Sequence, residues 1–271
     1  MRQSMRSALF VPGNRPERYA KALAAGADAV IIDLEDAVEP DAKDVARQHI
    51  EQFAQEHPEA RFLVRCNAAD TPWFEADMVL CKAHDGIIGV VLPKTESAAQ
   101  PRRVHELTGK PVIPIVESAR GVMALESLAV EEGVERLAFG YLDLMLDTAT
   151  RPDTAGARLL LDHVRCRMLL SSAAAGIRAP IDGVHPDFRD TETVANIAAQ
   201  VRDMGFAGVL CIHPAQVTAV HAAFAPSDAE REWAQRVVAE FERTGSAAFQ
   251  VDGKMVDAPV IERARRIVAG G

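Results

Sequence analysis

Short apolar stretches alternate with alanine-rich stretches eight times along the first 224 residues of the chain. Stretches such as Val30-Ile31-Ile32 and Gly89-Val90-Val91-Leu92 are continuously apolar, as is typical of parallel strands covered on both faces. Eight consecutive strand-then-helix units favour a closed (β/α)8 barrel over an open sheet. The predicted strands are residues 8–11, 29–32, 61–64, 87–92, 112–116, 136–139, 179–181 and 208–212, followed in turn by predicted helices at 15–25, 42–56, 72–83, 97–107, 120–128, 155–175, 192–204 and 214–224.

The last part of the chain is extra to these eight units. It holds predicted helices at 227–244 and 259–268, separated by an irregular, glycine- and serine-containing stretch that runs through Asp252-Gly253-Lys254. No low-complexity linker precedes it. We therefore interpret residues 1–224 as a catalytic α/β barrel and residues 225–271 as a C-terminal helical extension that serves as a lid or in oligomerisation.

Charge and hydropathy exclude several classes of partner. Lys and Arg total 30 against 39 Asp and Glu, a formal net charge of −9, so the chain has no global electrostatic reason to bind nucleic acid or an anionic membrane. The apolar stretch near the N-terminus is too short for a signal peptide, and no stretch approaches the roughly 18 apolar residues that span a bilayer. We therefore expect a soluble, cytoplasmic protein.

Nearly every predicted strand is followed by a charged or polar group. The carboxyl ends of barrel strands meet on one face, which is where catalytic side chains lie in such folds. A single acid after a strand is often a helix cap, the simplest interpretation of Asp143 or Asp182 alone. The convergence of several carboxylates and cations is better explained by a site. The polar residues in question are Asn14, Arg15, Asp33, Glu35, Asp36, Arg65, Asn67, Lys94, Glu117, Arg120, Asp143, Asp182 and His213.

Glu117 and Asp143 follow adjacent predicted strands, so both carboxylates can reach one point. Carboxylate oxygens without a neighbouring His or Cys ligand suit Mg²⁺ or Mn²⁺. The alternative is that Glu117 and Asp143 are two ordinary acids at the strand ends that bind no metal. Arg65 offers a planar fork for a substrate carboxylate. A metal beside a clamped carboxylate is typical of a 2-oxoacid site, which serves aldol and Claisen cleavage. The acidic Asp33-Leu34-Glu35-Asp36 stretch is expected to hold metal-bound water or to take a proton, with a second metal site as the alternative.

The sequence also resembles the citrate lyase β-subunit-like lyases of the HpcH/HpaI aldolase superfamily, which include malyl-CoA and citramalyl-CoA lyases. The similarity runs in order over almost the whole chain, and the Asp-Leu-Glu-Asp-Ala-Val stretch is particularly specific. The stretches that carry it are Arg6-Ser-Ala-Leu-Phe-Val-Pro-Gly13, Gly26-Ala-Asp-Ala-Val-Ile-Ile-Asp-Leu-Glu-Asp-Ala-Val38, Val64-Arg-Cys-Asn67, Leu92-Pro-Lys94, Val116-Glu-Ser118, Phe139-Gly140 with Asp143, Ile212-His-Pro214 and Asp252-Gly-Lys-Met-Val-Asp-Ala-Pro259.

The resemblance implies a homotrimer or a hexamer, with Mg²⁺ on Glu117 and Asp143. It implies that Arg65, together with Arg15, binds the substrate carboxylate. Glu35 and Asp36 match an acidic pair that lies behind the metal-bound waters. Asp257, which the sequence alone indicates as a helix N-cap before Pro259, matches an acid that closes over a neighbouring subunit's site and carries the enolate proton.

These observations predict a Mg²⁺-dependent lyase that cleaves a citramalyl, malyl or citryl type of thioester. The products are a 2-oxoacid, such as pyruvate or oxaloacetate, and an acetyl thioester on CoA or on an acyl-carrier protein. A thioester hydrolase and a 2-oxoacid aldolase without a thioester are the alternatives, and Asp257 argues against the second. Arg15, Arg65 and Lys94 are the local cations expected to attract an anionic thioester to an acidic protein. Tyr141-Leu142 departs from the Thr-Glu type of pair that precedes the aspartate in many relatives.

Overall fold

A computed structural model describes residues 5–269 of the chain. Eight parallel strands close into a barrel in sequence order, with each strand hydrogen-bonded to the next and the first to the eighth. The expected (β/α)8 barrel is therefore confirmed. The strands are β1 (Ser7–Pro12), β2 (Ala29–Asp33), β3 (Phe62–Arg65), β4 (Ile87–Leu92), β5 (Val112–Val116), β6 (Ala138–Phe139), β7 (Ile181–Asp182) and β8 (Gly208–Cys211).

Helices follow the strands in the order that the sequence predicts. Two single-turn 3-10 helices, Pro16–Arg18 and Pro40–Ala42, precede α1 and α2. The α-helices of this part of the chain are α1 (Tyr19–Leu23), α2 (Lys43–Glu56), α3 (Phe74–Ala83), α4 (Ala99–Thr108), α5 (Ala119–Met123), α6 (Leu125–Ala129), α7 (Tyr141–Asp147), α8 (Ala155–Ala175), α9 (Thr191–Met204) and α10 (Pro214–Phe224).

The barrel interior is filled by aliphatic side chains, one or two from each strand. This explains why the strands are continuously apolar: one set of side chains fills the barrel and the other packs under the helices. All are at most 4% exposed, so the interior is a packed core that leaves room for a ligand only at the ends of the strands. The cluster consists of Ala8, Ile31, Leu63, Val91, Ile113, Ile115, Ala138, Ile181 and Leu210.

Two elements of the barrel differ from the sequence prediction. The single helix predicted at 120–128 is two short helices, α5 and α6, with Ala124 between them. The segment after β6 forms α7, which the sequence left unassigned, and Asp143 lies in its first turn.

The chain divides into two compact units, and the boundary along the sequence lies between Ala223 and Phe224. The second unit contains α11 (Asp228–Thr244), strands β9 (Phe249–Val251) and β10 (Lys254–Val256), and α12 (Ala258–Val268). The stretch predicted as irregular is an antiparallel hairpin instead, with Asp252 and Gly253 at its turn, both at positive φ. The second unit has a small core of its own, which includes Ala234, Val237, Val251, Val256, Ile261 and Ala264. Within residues 5–269, no helix is long and apolar enough to cross a membrane.

Candidate active site

A pocket of about 240 Å³ lies at the carboxyl ends of the barrel strands. Charged groups and aliphatic groups both line it, which gives it a polar part and an apolar part. Three residues predicted for the site, Arg65, Glu117 and Asp143, share this pocket, and Asp36 is also in its lining. The full lining is Phe10, Asp33, Asp36, Ala37, Arg65, Ile115, Glu117, Phe139, Gly140, Tyr141, Leu142, Asp143, Val184, Leu210 and Ile212.

Arg65 is the best-anchored cation of the pocket. It is the last residue of β3 and pairs in register with Asp33, the last residue of β2. Its Nε and Nη2 atoms donate to the two carboxylate oxygens of Asp33, each at 2.6 Å. Its Nη1 atom lies 3.0 Å from Oε2 of Glu35, and its guanidinium stands 4.8 Å from the ring centre of Phe10. Burial disfavours the charged form, but the neighbouring carboxylates outweigh this effect and raise the pKa of Arg65.

Asp33 also shapes the loop that follows β2. Its carboxylate oxygens accept the backbone N–H groups of Glu35 at 2.9 Å and Ala37 at 3.1 Å, as an Asx turn does. The same loop is held by Lys43, whose side chain is 5% exposed. Lys43 Nζ donates to the carbonyl oxygens of Leu34 and Glu35, both at 2.8 Å. The acidic loop is therefore fixed from two sides.

Glu35 and Asp36 share a strongly coupled electrostatic environment. Burial raises the pKa of Glu35, although Arg65 and Lys94 act in the opposite direction. Burial also acts to raise the pKa of Asp36, but the hydrogen bond with Glu35 and the charges of Arg65 and Lys94 outweigh it and leave that pKa lowered. Of the two carboxyl groups, Glu35 therefore holds a proton more readily than Asp36.

Lys94 contacts both Glu117 and the acidic loop after β2, and it does so in an uncommon backbone conformation. Its φ is +50°, in the left-handed region that non-glycine residues rarely adopt. In this conformation the Lys94 backbone N–H donates to Oε1 of Glu117 at 2.5 Å, while Nζ forms an ion pair with Glu35 and lies 3.6 Å from Asp36. Strained residues of this kind persist where surrounding contacts hold them, and functional sites are the usual places.

Glu117 and Asp143 both line the pocket, and two neighbouring carboxylates offer the oxygen ligands that a divalent cation prefers. Glu117 is 6% exposed, and burial together with the charge of Asp143 raises its pKa to about 8. A Cβ atom added at Gly140 would stand 2.5 Å from Oε2 of Glu117, so glycine at this position leaves the space that the carboxylate occupies. In the described part of the chain, no three His, Cys, Asp or Glu side chains gather as a metal site. A cation held by Glu117 and Asp143 would keep coordination positions for water and substrate, as Mg²⁺ sites usually do.

Other sequence-predicted residues lie outside the pocket lining. Arg15 is half exposed and pairs with Glu17. His213 stacks on the ring of Phe188 at 4.5 Å between centres. Asp182 is fully buried in a two-bond pair with Arg165, at 3.0 Å for each bond. It therefore ties α8 to β7, and it is neither a cap nor a pocket residue.

Asp257 lies in the second unit, where it begins α12. Its carboxylate accepts the backbone N–H of Val260 at 3.5 Å, so the N-cap indicated by the sequence is present. This arrangement leaves the proton-carrier role of Asp257 as a prediction.

Two contacts of the site were missed from the sequence, namely the pairing of Asp33 with Arg65 and the support that Lys43 gives to the acidic loop. The signal for Asp33 was available. It ends β2 as Arg65 ends β3, and the ends of neighbouring parallel strands pair in space. Lys43 carried no such signal, because a lysine at the start of a helix is ordinarily solvated.

The fold and the site define an enzyme-type (β/α)8 barrel with a carboxylate-rich pocket at the strand ends. The chain belongs to the HpcH/HpaI aldolase/citrate lyase family, whose sequence pattern matches residues 6–214. The family membership expected from the motifs is confirmed.

Relatives in this family are similar to the chain over nearly their full length. A citrate lyase subunit beta-like protein of Mycobacterium tuberculosis is 38% identical over 96% of this chain and 93% of its own length. A (3S)-malyl-CoA thioesterase of Cereibacter sphaeroides is 35% identical over 97% of this chain and 93% of its own. Among solved structures, CitE of M. tuberculosis in complex with magnesium, acetoacetate and coenzyme A has a TM-score of 0.87 and 34% identity, covering 99% of this chain and 98% of that one.

Proposed function

We propose that this protein is a divalent-metal-dependent carbon–carbon lyase that cleaves a 3-hydroxyacyl thioester to a 2-oxoacid and an acetyl thioester. The observation that carries the proposal is the meeting of the Glu117–Asp143 pair and Arg65 in one pocket. The magnesium- and coenzyme A-bound CitE structure supports the metal and the thioester. Mg²⁺ or Mn²⁺ is held by Glu117 and Asp143 in this proposal.

Different residues of the chain bind the substrate carboxylate, hold the metal and attract the anionic thioester. Arg65, already oriented by Asp33, donates its remaining N–H groups to the substrate carboxylate. Glu117 and Asp143 would hold a divalent metal, which would supply positive charge that stabilises the negative charge developing on the substrate oxygen. Lys94 and Arg15 contribute cationic charge that attracts the anionic thioester.

Proton transfer is assigned to the acidic pair and to Asp257. Asp36, which lines the pocket and whose pKa lies below its ordinary value, accepts the hydroxyl proton with Glu35 beside it. The oxygen electrons form the new carbonyl as the carbon–carbon bond breaks, and the electron pair of that bond passes into the thioester enolate. Asp257 of a neighbouring subunit then delivers a proton to the enolate carbon, which completes the acetyl thioester.

A thioester hydrolase is the second candidate, and the 35% identity to a (3S)-malyl-CoA thioesterase favours keeping it. Incubation with citramalyl-CoA, malyl-CoA and citryl thioesters in the presence of Mg²⁺ separates the two. A lyase releases a 2-oxoacid with acetyl-CoA, and a hydrolase releases free CoA with the intact hydroxy acid. Release of neither from any of these thioesters, under conditions in which the protein is folded, would contradict both. A 2-oxoacid aldolase without a thioester would instead act on free hydroxy oxoacids.

The carrier and the assembly complete the proposal. The thioester is carried by CoA or by an acyl-carrier protein, which the same assay distinguishes when both forms are offered. The protein is a homotrimer or a hexamer, with residues 225–271 serving as a lid or in oligomerisation. Light scattering of the full chain and of a chain ending at residue 224 tests this assignment.

A further inference from the structure

The apolar part of the pocket continues the core of the barrel. Leu210 is 4% exposed and belongs to the aliphatic cluster inside the barrel, against which Val184 packs. Ile212 follows β8 and is 40% exposed, so its side chain borders the open pocket. These three residues, here called the aliphatic wall, have no polar side-chain atom with which to meet a charged substituent.

The charged part of the pocket has capacity for one carboxylate only. Among the described residues that line it, Arg65 is the single Lys or Arg, while four carboxylates line the same space. A guanidinium has five N–H donors. Two of them bond Asp33 and a third is directed at Glu35, so two are left for a substrate. Even with a divalent cation bound, this lining carries more negative than positive charge.

A second substrate carboxylate would therefore meet like charges, the aliphatic wall or the remaining lining, where the neutral hydroxyl of Tyr141 is the one other side-chain donor among the described residues and brings no positive charge. Burial of an unpaired carboxylate against aliphatic groups is strongly unfavourable, whereas a methyl or ethyl group gains from the same contact. On this basis we propose that the 2-oxoacid handled at this site has a single carboxylate and a short aliphatic substituent, as pyruvate has, and is not a dicarboxylic oxoacid. This inference rests on the proposed function and sharpens it by naming the substrate class.

Direct binding tests the inference without turnover. Titration calorimetry of the full chain with Mg²⁺ compares oxaloacetate with 2-oxobutyrate, which has a methyl group where oxaloacetate has its second carboxylate. We expect 2-oxobutyrate and pyruvate to bind at least tenfold more tightly than oxaloacetate. Because Mg²⁺ promotes decarboxylation of oxaloacetate, its solutions are prepared fresh and their pyruvate content is assayed with lactate dehydrogenase. Equal or tighter binding of oxaloacetate would overturn the inference.

A cation placed in the aliphatic wall should shift this preference. In Ile212→Lys we expect the ratio of the oxaloacetate to the 2-oxobutyrate dissociation constant to fall at least tenfold. Ile88→Lys is the matched control, since Ile88 is 45% exposed and does not line the pocket; its ratio should equal that of the unmodified protein. Should circular dichroism find Ile212→Lys unfolded, Val184→Lys repeats the test. If a folded variant of the aliphatic wall kept the ratio of the two dissociation constants unchanged, the aliphatic wall would not determine which oxoacid binds, and the inference would be overturned.

The outcomes separate this inference from the proposed function. Magnesium-dependent binding of oxoacids with a preference for oxaloacetate would leave the lyase proposal standing and overturn the inference alone. If no oxoacid bound in the presence of Mg²⁺, both would fall.

Discussion

Asp33 and Arg65 end neighbouring strands of the barrel and meet through two hydrogen bonds of 2.6 Å, which fix the plane of the guanidinium. A guanidinium held in this way loses little freedom when it binds a substrate carboxylate, so its orientation contributes to affinity before the substrate arrives.

Asp33→Asn should weaken 2-oxoacid binding by about 10- to 100-fold, because small displacements of a positioning group have effects of this size. The variant keeps the size of the side chain but loses one of the two acceptor oxygens. Arg65→Lys should give a similar loss, and the double variant should be little worse than either single one, since both remove the same interaction. Calorimetric titration with pyruvate measures all three. Additive losses would mean that the two residues act independently.

Asp143→Ala should abolish turnover and Mg²⁺ binding together. Asp143 is exposed in the first turn of α7, so the fold should tolerate the change. Asp147→Ala, one turn later on the same helix and outside the pocket lining, is the matched control and should keep its Mg²⁺ dependence. Near-normal activity of Asp143→Ala would remove Asp143 from the metal site.

Gly140→Ala should lower Mg²⁺ affinity by about tenfold and stability by about 1–3 kcal/mol, because the added Cβ would stand 2.5 Å from two atoms of Glu117. The backbone at Gly140 has φ −102°, outside the left-handed region that favours glycine, so the clash with Glu117 is the expected cause of the effect. Gly156→Ala is the control, since the nearest atom to its added Cβ is at 3.8 Å. Calorimetry and thermal unfolding measure both changes. A Gly140→Ala protein with unaltered Mg²⁺ affinity would contradict the role given to this glycine.

Asp257→Asn separates the two roles of Asp257. Asparagine caps helices as well as aspartate does but is not an acid. We therefore expect thermal stability and pyruvate binding to be unchanged, while cleavage falls by about 10²- to 10⁴-fold. Asp257→Ala should in addition lose about 1 kcal/mol of stability with the cap. If Asp257→Asn cleaved the thioester at the wild-type rate, Asp257 would have no role in proton transfer and would serve only as the N-cap of α12.

The Asp28–Arg6 pair should make the stability of the barrel depend on pH. Arg6 donates to Asp28 through its backbone N–H at 2.8 Å and through its side chain at 2.9 Å. Burial acts to raise the pKa of Asp28, but these bonds outweigh it and lower the pKa below its ordinary value near 3.8. The unfolded state then binds the proton more readily, so the stabilisation is complete above about pH 5 and is lost as pH falls through the lowered pKa.

Asp28→Asn should therefore lose about 1–2 kcal/mol at pH 7 and progressively less as pH falls below about 4 and through the lowered pKa of Asp28. Urea unfolding at a series of pH values measures the difference. Asp252→Asn, at an ion pair whose two side chains are half exposed, should be nearly neutral at every pH. A pH-independent loss in Asp28→Asn would mean that the charge of Asp28 contributes nothing.

The sequence predicts the barrel because its strands carry a periodic signal that does not depend on distant contacts. The same reasoning finds Arg65, Glu117 and Asp143, since position at a strand end is enough to bring them to one face. The hairpin at 249–256 was missed although its signal was present: Asp252-Gly253 between apolar-alternating segments is a strong two-residue hairpin pattern.

The partnerships within the site are of a different kind. Lys94 has a left-handed backbone and contacts Glu35 and Asp36 through its side chain, and Lys43 is buried. These features depend on how several loops pack together. No local pattern encodes that packing. The opposite pKa shifts of Glu35 and Asp36 likewise depend on burial and on neighbours far along the chain, so two adjacent acids in the sequence gave no indication of which one has the higher pKa.

The backbone conformation of Lys94 limits what position 94 can become in descendants of this chain. Glycine, and to a lesser degree asparagine and aspartate, adopt left-handed dihedral angles at small cost, and none of them carries a cation for Glu35. A single substitution therefore cannot relax the backbone and also keep the ion pair. Divergence toward a new reaction would have a lower barrier if it began in the aliphatic wall, where no side chain serves two partners.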